Sequence, residues 1–337
     1  MRAFVTGGTG FLGRRVVRRL VERGDDVVML VRDPGKAAAW ADAQSEAGEQ
    51  AGRVELVEGN LGDVAAFADQ LAGCDVVYHM GARVLSHGDW QLFLDETVVA
   101  TERLIDAAVE AGVGRFVHVS SLGIFEIASD GVTITEDSEY DHQPMLRGYY
   151  TRSKIDADRI ARRAARIGQP VVIVRPGQIY GHDHPSEPLF LGRVNKRVRG
   201  RALVVSKPSY LAPIVYVENA ADAVVLAGTR PGLEGRVFNV IDDSDLTQSR
   251  YFDEVAGRPG CPAAFFYLPV ALFAPAVAAV DFLHRLLKRR PWAAAYQLRR
   301  SGLNARYATE PARAELGWEP RVGLRDAVVA STGGASP

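Results

Sequence analysis

Tyr150 and Lys154 stand four residues apart in Tyr150-Thr151-Arg152-Ser153-Lys154, at the start of a stretch with helical periodicity. That spacing puts a phenol and an ammonium on one helix face. A phenol titrates near about pH 10 and moves protons poorly at neutrality, whereas a neighbouring cation stabilises the phenolate and brings it toward a useful range. The pair therefore suits proton transfer to or from a substrate oxygen. Ser120 and Ser121 close an apolar run, and a hydroxyl at the carboxyl edge of a parallel sheet is placed to hydrogen-bond such an oxygen. Near the amino terminus, Thr6-Gly7-Gly8-Thr9-Gly10-Phe11-Leu12-Gly13 lies between an apolar run and an amphipathic stretch, which reads as strand, glycine turn and helix. Gly7 and Gly10 permit a tight turn whose N–H groups approach phosphate oxygens. Gly13 lets the helix pack closely on the strand, and the helix's positive end faces the anion. A dinucleotide pyrophosphate is the ligand this turn suits.

These residues need a scaffold that brings them to one edge. Short apolar runs at Ala3–Thr6, Val27–Val31, Val54–Val57, Val76–His79, Phe116–Ser120 and Val171–Val174 alternate with helical patterns. Such alternation predicts an α/β fold, a doubly wound parallel sheet of Rossmann type covered on both faces. Beyond Tyr180 the rhythm breaks at Pro185, Pro188, Pro208 and Pro213. The expected organisation is a dinucleotide-binding domain over 1–180, a smaller interleaved C-terminal substrate lobe over 181–330, a strand at 237–241 returning to the large sheet, and a disordered tail at 331–337.

The chain has 337 residues, with 40 Lys and Arg against 41 Asp and Glu. That balance argues against a nucleic-acid partner, and the pairs Arg14-Arg15, Arg18-Arg19 and Arg162-Arg163 read as solvated helix faces. Two cysteines, Cys74 and Cys261, are too few for a disulfide framework or a cysteine metal site and fit a reducing cytoplasm. The amino terminus reads as a strand rather than a signal peptide. His182-Asp183-His184 reads as polar loop rather than a metal site, and His79 and His118 as satisfied core or cofactor-side residues. Leu268–Leu287 is the longest apolar stretch, interrupted by Pro269, Pro275, Asp281, His284 and Arg285, and so is read as a core or pocket-wall helix. With Lys288, Arg289 and Arg290 following, peripheral membrane contact through 268–290 is the competing expectation.

Taken together, the TGGTGFLG turn, Val119-Ser120-Ser121, the Tyr150/Lys154 pair, Arg175-Pro176 before Tyr180-Gly181, and Ala314-Glu315-Leu316-Gly317-Trp318 resemble the extended short-chain dehydrogenase/reductases, the NAD-dependent epimerase/dehydratase class. The resemblance spans nearly the whole chain. It implies that Tyr150 is the general acid/base, that Lys154 lowers its pKa and holds the nicotinamide ribose, and that Ser121 orients the substrate oxygen, since the family's serine directly precedes the segment matching Leu122-Gly123-Ile124-Phe125. It also implies a cofactor cradle of Gly7, Thr9, Gly10, Phe11, Leu12 and Gly13, with Asn60 and Leu61 bracketing the adenine, Gly81 and Ala82 ending the fourth strand, and Pro176 and Gly177 meeting the carboxamide. A homodimer through Thr97–Ala111 and Tyr150–Ile167 is implied as well. The chain departs from the family pattern at Thr97–Thr101, where Asn and Gly are common, and at Gln178, where many relatives have Asn.

Cofactor choice is read from the end of the second strand. NAD-selective sites place a carboxylate there for the ribose 2′-hydroxyl, whereas this chain has Val31 followed by Arg32. Arg32 suits a 2′-phosphate, with Arg14 beside the glycine loop to assist, so NADP is expected ahead of NAD, although Asp33 keeps a carboxylate close by. Within the class, His79–Val84, Arg175–Gly181 and the apolar helix before Lys288 most resemble the 3β-hydroxysteroid and sterol dehydrogenase-like branch, which implies a small lipophilic alcohol or ketone as substrate. His87 and Trp90 follow as weak pocket candidates. The alternative is a nucleotide-sugar epimerase or dehydratase, for which Arg193, Lys196, Arg197, Arg199 and Arg201 would meet a diphosphate.

Overall fold

The computed structural model describes residues 1–45, 51–84, 88–183, 194–198, 200–287 and 293–333. Its centre is a seven-stranded, all-parallel sheet built from β1 (Arg2–Thr6), β2 (Asp26–Val31), β3 (Val54–Glu58), β4 (Val76–His79), β5 (Arg115–Val119), β6 (Val171–Pro176) and β7 (Val237–Val240). The spatial order is β7-β6-β5-β4-β1-β2-β3. Order reverses between β1 and β4, which opens the crevice where doubly wound sheets hold ligands. Every strand expected from the apolar runs is present.

Burial on both faces explains those continuous apolar runs. Along β1, Ala3 and Val5 pack with α1 (Phe11–Glu22) through Val16, Val17 and Leu20, while Phe4 points to the other layer. That second layer is formed by α2 (Ala100–Glu110) and α3 (Tyr149–Arg166), which contribute Leu104, Ile105, Ala161 and Ala164. On the α1 side the layer is completed by α4 (Val217–Thr229), so the helices covering the large sheet include one from beyond residue 180.

Within the arginine pairs read as solvated, Arg14, Arg18 and Arg163 are exposed, and several of the pairs' side chains also make ion pairs. Arg18 and Arg19 of α1 bridge to Glu218, and Arg19 also to Asp222, both on α4. Arg162 meets Asp137, and Arg163 meets Glu102 across α2 and α3. These charges join elements that the sequence could not show to be neighbours.

Three small sheets lie outside the large one. Val194–Val198, Arg201–Val205 and Ala264–Leu268 form the first. Gln178–Tyr180 pairs with Ile214–Tyr216, and Val132–Ile134 with Ala305–Tyr307. Trp318 is fully buried and its indole N–H donates to the Asn219 carbonyl at 2.8 Å, anchoring the end of the chain on α4.

Two expectations fail here. The apolar helix Ala274–Leu286 is no core wall: Phe282 is 68% and Leu286 67% exposed. No described helix is long and apolar enough to cross a membrane. The tail expected to be disordered from 331 begins instead with buried Ser331 and Thr332, whose hydroxyls donate to Ala327 and Val328 carbonyls at the end of Leu324–Ser331. Residues 334–337 lie outside the described residues.

Candidate active site

The carboxyl ends of β1, β4, β5 and β6 open onto one cleft of about 820 Å³. Gly7, Thr9, Gly10, Phe11, Leu12, Gly13, Arg32, Gly81, Ala82, Ser121, Tyr150, Lys154, Pro176 and Gly177 all line it. Of the residues proposed for the cofactor cradle, Asn60 and Leu61 do not. Asn60 Oδ1 instead accepts from the Gly62 N–H at 3.0 Å, closing its own turn, while Leu61 fills the space beside Gly81 that a side chain there would need. Arg14 also stays out of the cleft and rests over the Trp40 ring. Trp90 packs against Tyr149 and Arg152 rather than the cleft, and His87 lies outside the described residues.

The glycine turn fits a dinucleotide on two observations. Gly7 takes φ +72°, and a Cβ on Gly13 would fall 2.1 Å from the Gly7 carbonyl oxygen, so α1 meets the turn at a distance only glycine allows. Gly10 caps α1 without a side-chain bond and no acid sits in the first turn. Its leading N–H groups and positive dipole end are therefore left for an anion.

Beneath the turn runs a directed chain of buried hydrogen bonds. Thr101 Oγ1 donates to the Thr97 carbonyl at 2.6 Å, so it accepts from His79 Nε2 at 3.1 Å. His79 Nδ1 then accepts from Thr6 Oγ1 at 2.8 Å, and Thr6 Oγ1 accepts from the Gly81 N–H at 3.1 Å. The order requires neutral imidazole, and burial pushes His79 down to about 3. The helix entering α2 widens into a π turn at Leu94–Val99, and Thr97 Oγ1 accepts the Arg83 N–H. Thr97 and Thr101 thus hold the region where the family commonly has Asn and Gly. His118, expected to be satisfied, has neither ring nitrogen paired although it is buried beside His79.

On the other side of the cleft, Ser121 Oγ accepts from the Gly123 N–H at 3.0 Å. Its own proton is left to donate toward the cleft. Lys154 Nζ donates to the Val119 carbonyl at 2.7 Å, which roots it on β5. Burial lowers Lys154 to about 8, opposed by Asp158 one helical turn on. Tyr150 departs from expectation: burial raises its phenol, and the cation that counters this is Arg147, not Lys154. The ammonium is committed to the strand carbonyl, whereas the Arg147 guanidinium sits beside the Ser121 turn.

Asp158 was missed, though extending the four-residue spacing from Tyr150 through Lys154 reaches it. It forms a fully buried pair with Arg175, with Nε to Oδ1 at 3.0 Å and Nη2 to Oδ2 at 2.5 Å, and accepts Tyr140 OH at 2.7 Å. Burial alone would raise its carboxyl, but Arg175 holds it at about 2. Arg175 also donates to the Glu136 carbonyl, so this pair ties α3 to β6 under the Tyr/Lys face.

A parallel sheet with a phosphate-sized glycine turn at its switch point, facing a serine, a tyrosine and a lysine, defines an NAD(P)-dependent oxidoreductase scaffold of the extended short-chain class. The NAD dependent epimerase/dehydratase family model matches residues 3–240, and the chain belongs to that family. It is 28% identical over 327 residues to a 4-hydroxy-2-methyl-3-oxo-4-farnesyl-3,4-dihydroquinoline-1-oxide ketoreductase of Stigmatella aurantiaca, covering 96% of this chain and 93% of the relative. A 2-alkyl-3-oxoalkanoate reductase of Stenotrophomonas maltophilia is 26% identical over 333 residues, 97% of each chain. Among solved structures, gox2253 superposes with a TM-score of 0.76 at 26% identity, covering 98% of this chain and 97% of that one. The UDP-glucuronic acid 4-epimerase of Bacillus cereus shares the fold at a TM-score of 0.70 and 16% identity, covering 99% and 98%.

Proposed function

We propose that the protein transfers hydride between NADP(H) and the secondary alcohol or ketone of a lipophilic substrate of the hydroxysteroid, sterol or β-keto acid type. The observation that carries this is the joining, in one cleft, of the glycine turn and the Ser121/Tyr150/Lys154 group to a wall of Ile127, Ile179, Leu211 and Leu303. A few polar anchors within an apolar wall suit a hydrophobic ligand. The ketoreductase and oxoalkanoate reductase relatives support the same reading.

NADP is favoured over NAD by Arg32. Its exposed guanidinium lines the cleft at the end of β2, whereas the Asp33 carboxylate is drawn to Lys36 Nζ at 2.8 Å and to the Lys36 N–H. A free cation with the neighbouring carboxylate turned away suits a 2′-phosphate.

A bound nicotinamide supplies or removes the hydride. For reduction, Tyr150 O–H gives a proton to the substrate oxygen while Ser121 O–H donates to that oxygen and holds it in place. Burial raises the phenol and Arg147 opposes that rise, so Tyr150 is protonated at neutrality and carries the proton it would give, with Arg147 stabilising the phenolate left behind. Lys154 Nζ has donors beyond the one it gives the Val119 carbonyl, and these would hold the nicotinamide ribose.

The test is a panel of steroid ketones, aliphatic ketones, β-keto acids and sugar nucleotides, read by nicotinamide absorbance with both cofactors. The expected result is turnover of hydrophobic carbonyls, faster with NADPH. Turnover of sugar nucleotides alone would overturn the reading. Of the basic residues weighed for such a ligand, Arg193 and Arg199 and the side chains of Lys196 and Arg197 lie outside the described residues, and Arg201 rests over Phe266.

A further inference from the structure

Among the described residues lining the cleft are four cations, Arg32, Arg147, Lys154 and Arg300, and no carboxylate. Arg32 and Lys154 have uses on the cofactor. Arg147 and Arg300 remain, and they stand at the substrate end. Arg147 Nη1 donates to the Gly123 carbonyl, and its Nη2 lies 3.6 Å from the point where a Cβ on Gly123 would be. Ser121 Oγ lies 3.2 Å from that same point, so the guanidinium is next to the hydroxyl that would hold the reacting oxygen. Arg300 comes from a remote helix, Ala293–Ser301, and donates through Nη2 to the Phe125 carbonyl at 2.8 Å.

The two guanidiniums share one counter-ion. Asp141 Oδ2 is 3.3 Å from Arg147 Nη1 and 3.8 Å from Arg300 Nη1, while its Oδ1 is taken by Tyr296 OH and the Gln143 N–H. Arg300 Nη1 is buried with no hydrogen-bond partner. Burial, and then repulsion from Arg300, lowers Arg147. One positive charge is thus left over, on a donor pair only 21% and 14% exposed. Such a charge is costly to hold without a matching anion.

We propose that Arg147 and Arg300 form an anion subsite that receives a carboxylate of the substrate within two carbons of the reacting carbon. This rests on the lipophilic-carbonyl reading and selects, among its candidates, an aliphatic 3-oxo or 3-hydroxy acid. The carbonyl oxygen lies on Ser121 and Tyr150, the carboxylate on the two guanidiniums, and the alkyl chain along Ile127 and Leu303.

The experiment compares 3-hydroxydecanoate with its methyl ester as substrates for oxidation with NADP⁺. The wild type should favour the acid. Arg300→Gln should lower kcat/KM for the acid about 10- to 100-fold, mainly through KM, and leave the ester nearly unchanged, as expected for loss of a charged hydrogen bond, whereas Arg147→Gln, which also removes the cation that counters burial of the Tyr150 phenol, should lower both substrates and the acid by more than the ester. Equal losses on acid and ester, or no preference for the acid in the wild type, would overturn the subsite. Melting temperature and NADPH fluorescence establish that each variant is folded, and Arg147→Lys, which keeps the charge, should recover part of the loss.

Calorimetric binding of decanoate to the NADPH complex tests the anchor without turnover. Binding that is lost in both Gln variants sustains the subsite even if neither alcohol is oxidised, in which case it is the lipophilic-carbonyl reading that falls. Binding equal to that of decan-2-one would overturn the subsite. So would turnover of UDP-glucose that depends on both arginines, because the anion held would then be a diphosphate.

Discussion

The two halves of the cleft are built by different rules. Its cofactor half is made from chain segments that each turn over within a few residues: the Gly7–Gly13 turn, Arg32 at the end of β2, and Gly81-Ala82 after β4. Each sits where a strand stops and is held by backbone geometry. Its substrate half gathers Ile127, Arg147, Leu211, Arg300 and Leu303 from loops and short helices spread over nearly two hundred residues. There, position depends on long-range partners such as Asp141, which reaches Arg147, Tyr296 and Arg300 together. The first kind of site rests on a local turn, whereas the second rests on contacts that could change without disturbing the sheet.

The comparison is broken most severely at the point where the halves meet. Tyr150→Phe removes the proton donor while leaving the ring in its packing, so kcat should fall about 10²- to 10⁴-fold with cofactor affinity little changed. Steady-state kinetics beside NADPH titration check this. Loss of cofactor binding to the same degree would show that the tyrosine serves the cofactor half alone.

A smaller effect separates the parts of the cofactor half. Arg32→Ala should weaken NADPH binding about 10- to 100-fold and NADH binding far less, as expected for losing a charged hydrogen bond to phosphate. Calorimetry with both cofactors measures the difference, and equal losses would remove the 2′-phosphate assignment.

The mildest effect is one of pH. Lys154 in the cofactor-free protein is an ammonium below about 8 and an amine above it. Cofactor affinity should therefore decline as pH rises through 8, by roughly the few-fold that separates a charged from a neutral donor. Fluorescence titration of NADPH on either side of that value reads it, with Lys154→Met expected to bind weakly and without this step. Tyr150 is raised and stays protonated across that window, so it does not contribute.

How much was legible follows from how each feature is encoded. The apolar runs marked all the first six strands because a sheet buried on both faces demands unbroken apolar segments. The glycine turn and the Tyr150–Lys154 spacing were readable because local backbone and helix geometry place them. Reading failed where the sign of an environment mattered. Phe282 and Leu286 look like core and are exposed, while Arg19 looks like surface and is half-buried in ion pairs with Glu218 and Asp222 of α4. Asn60 matched a cofactor motif but closes its own turn.

The sequence by itself determined the parallel sheet, the phosphate-sized turn at its edge and the shared helix face of Tyr150 and Lys154, since these depend on periodicity and short-range spacing, while the choice of Ser121 came from the family resemblance. Only the tertiary structure decided which cation opposes the burial of the phenol, how Thr6, His79 and Thr101 chain together under Gly81, and that Arg147 and Arg300 share Asp141. The reason is physical: hydrogen bonds and Coulomb interactions depend on distances of a few ångströms between residues remote in the chain, and a linear order does not carry those distances.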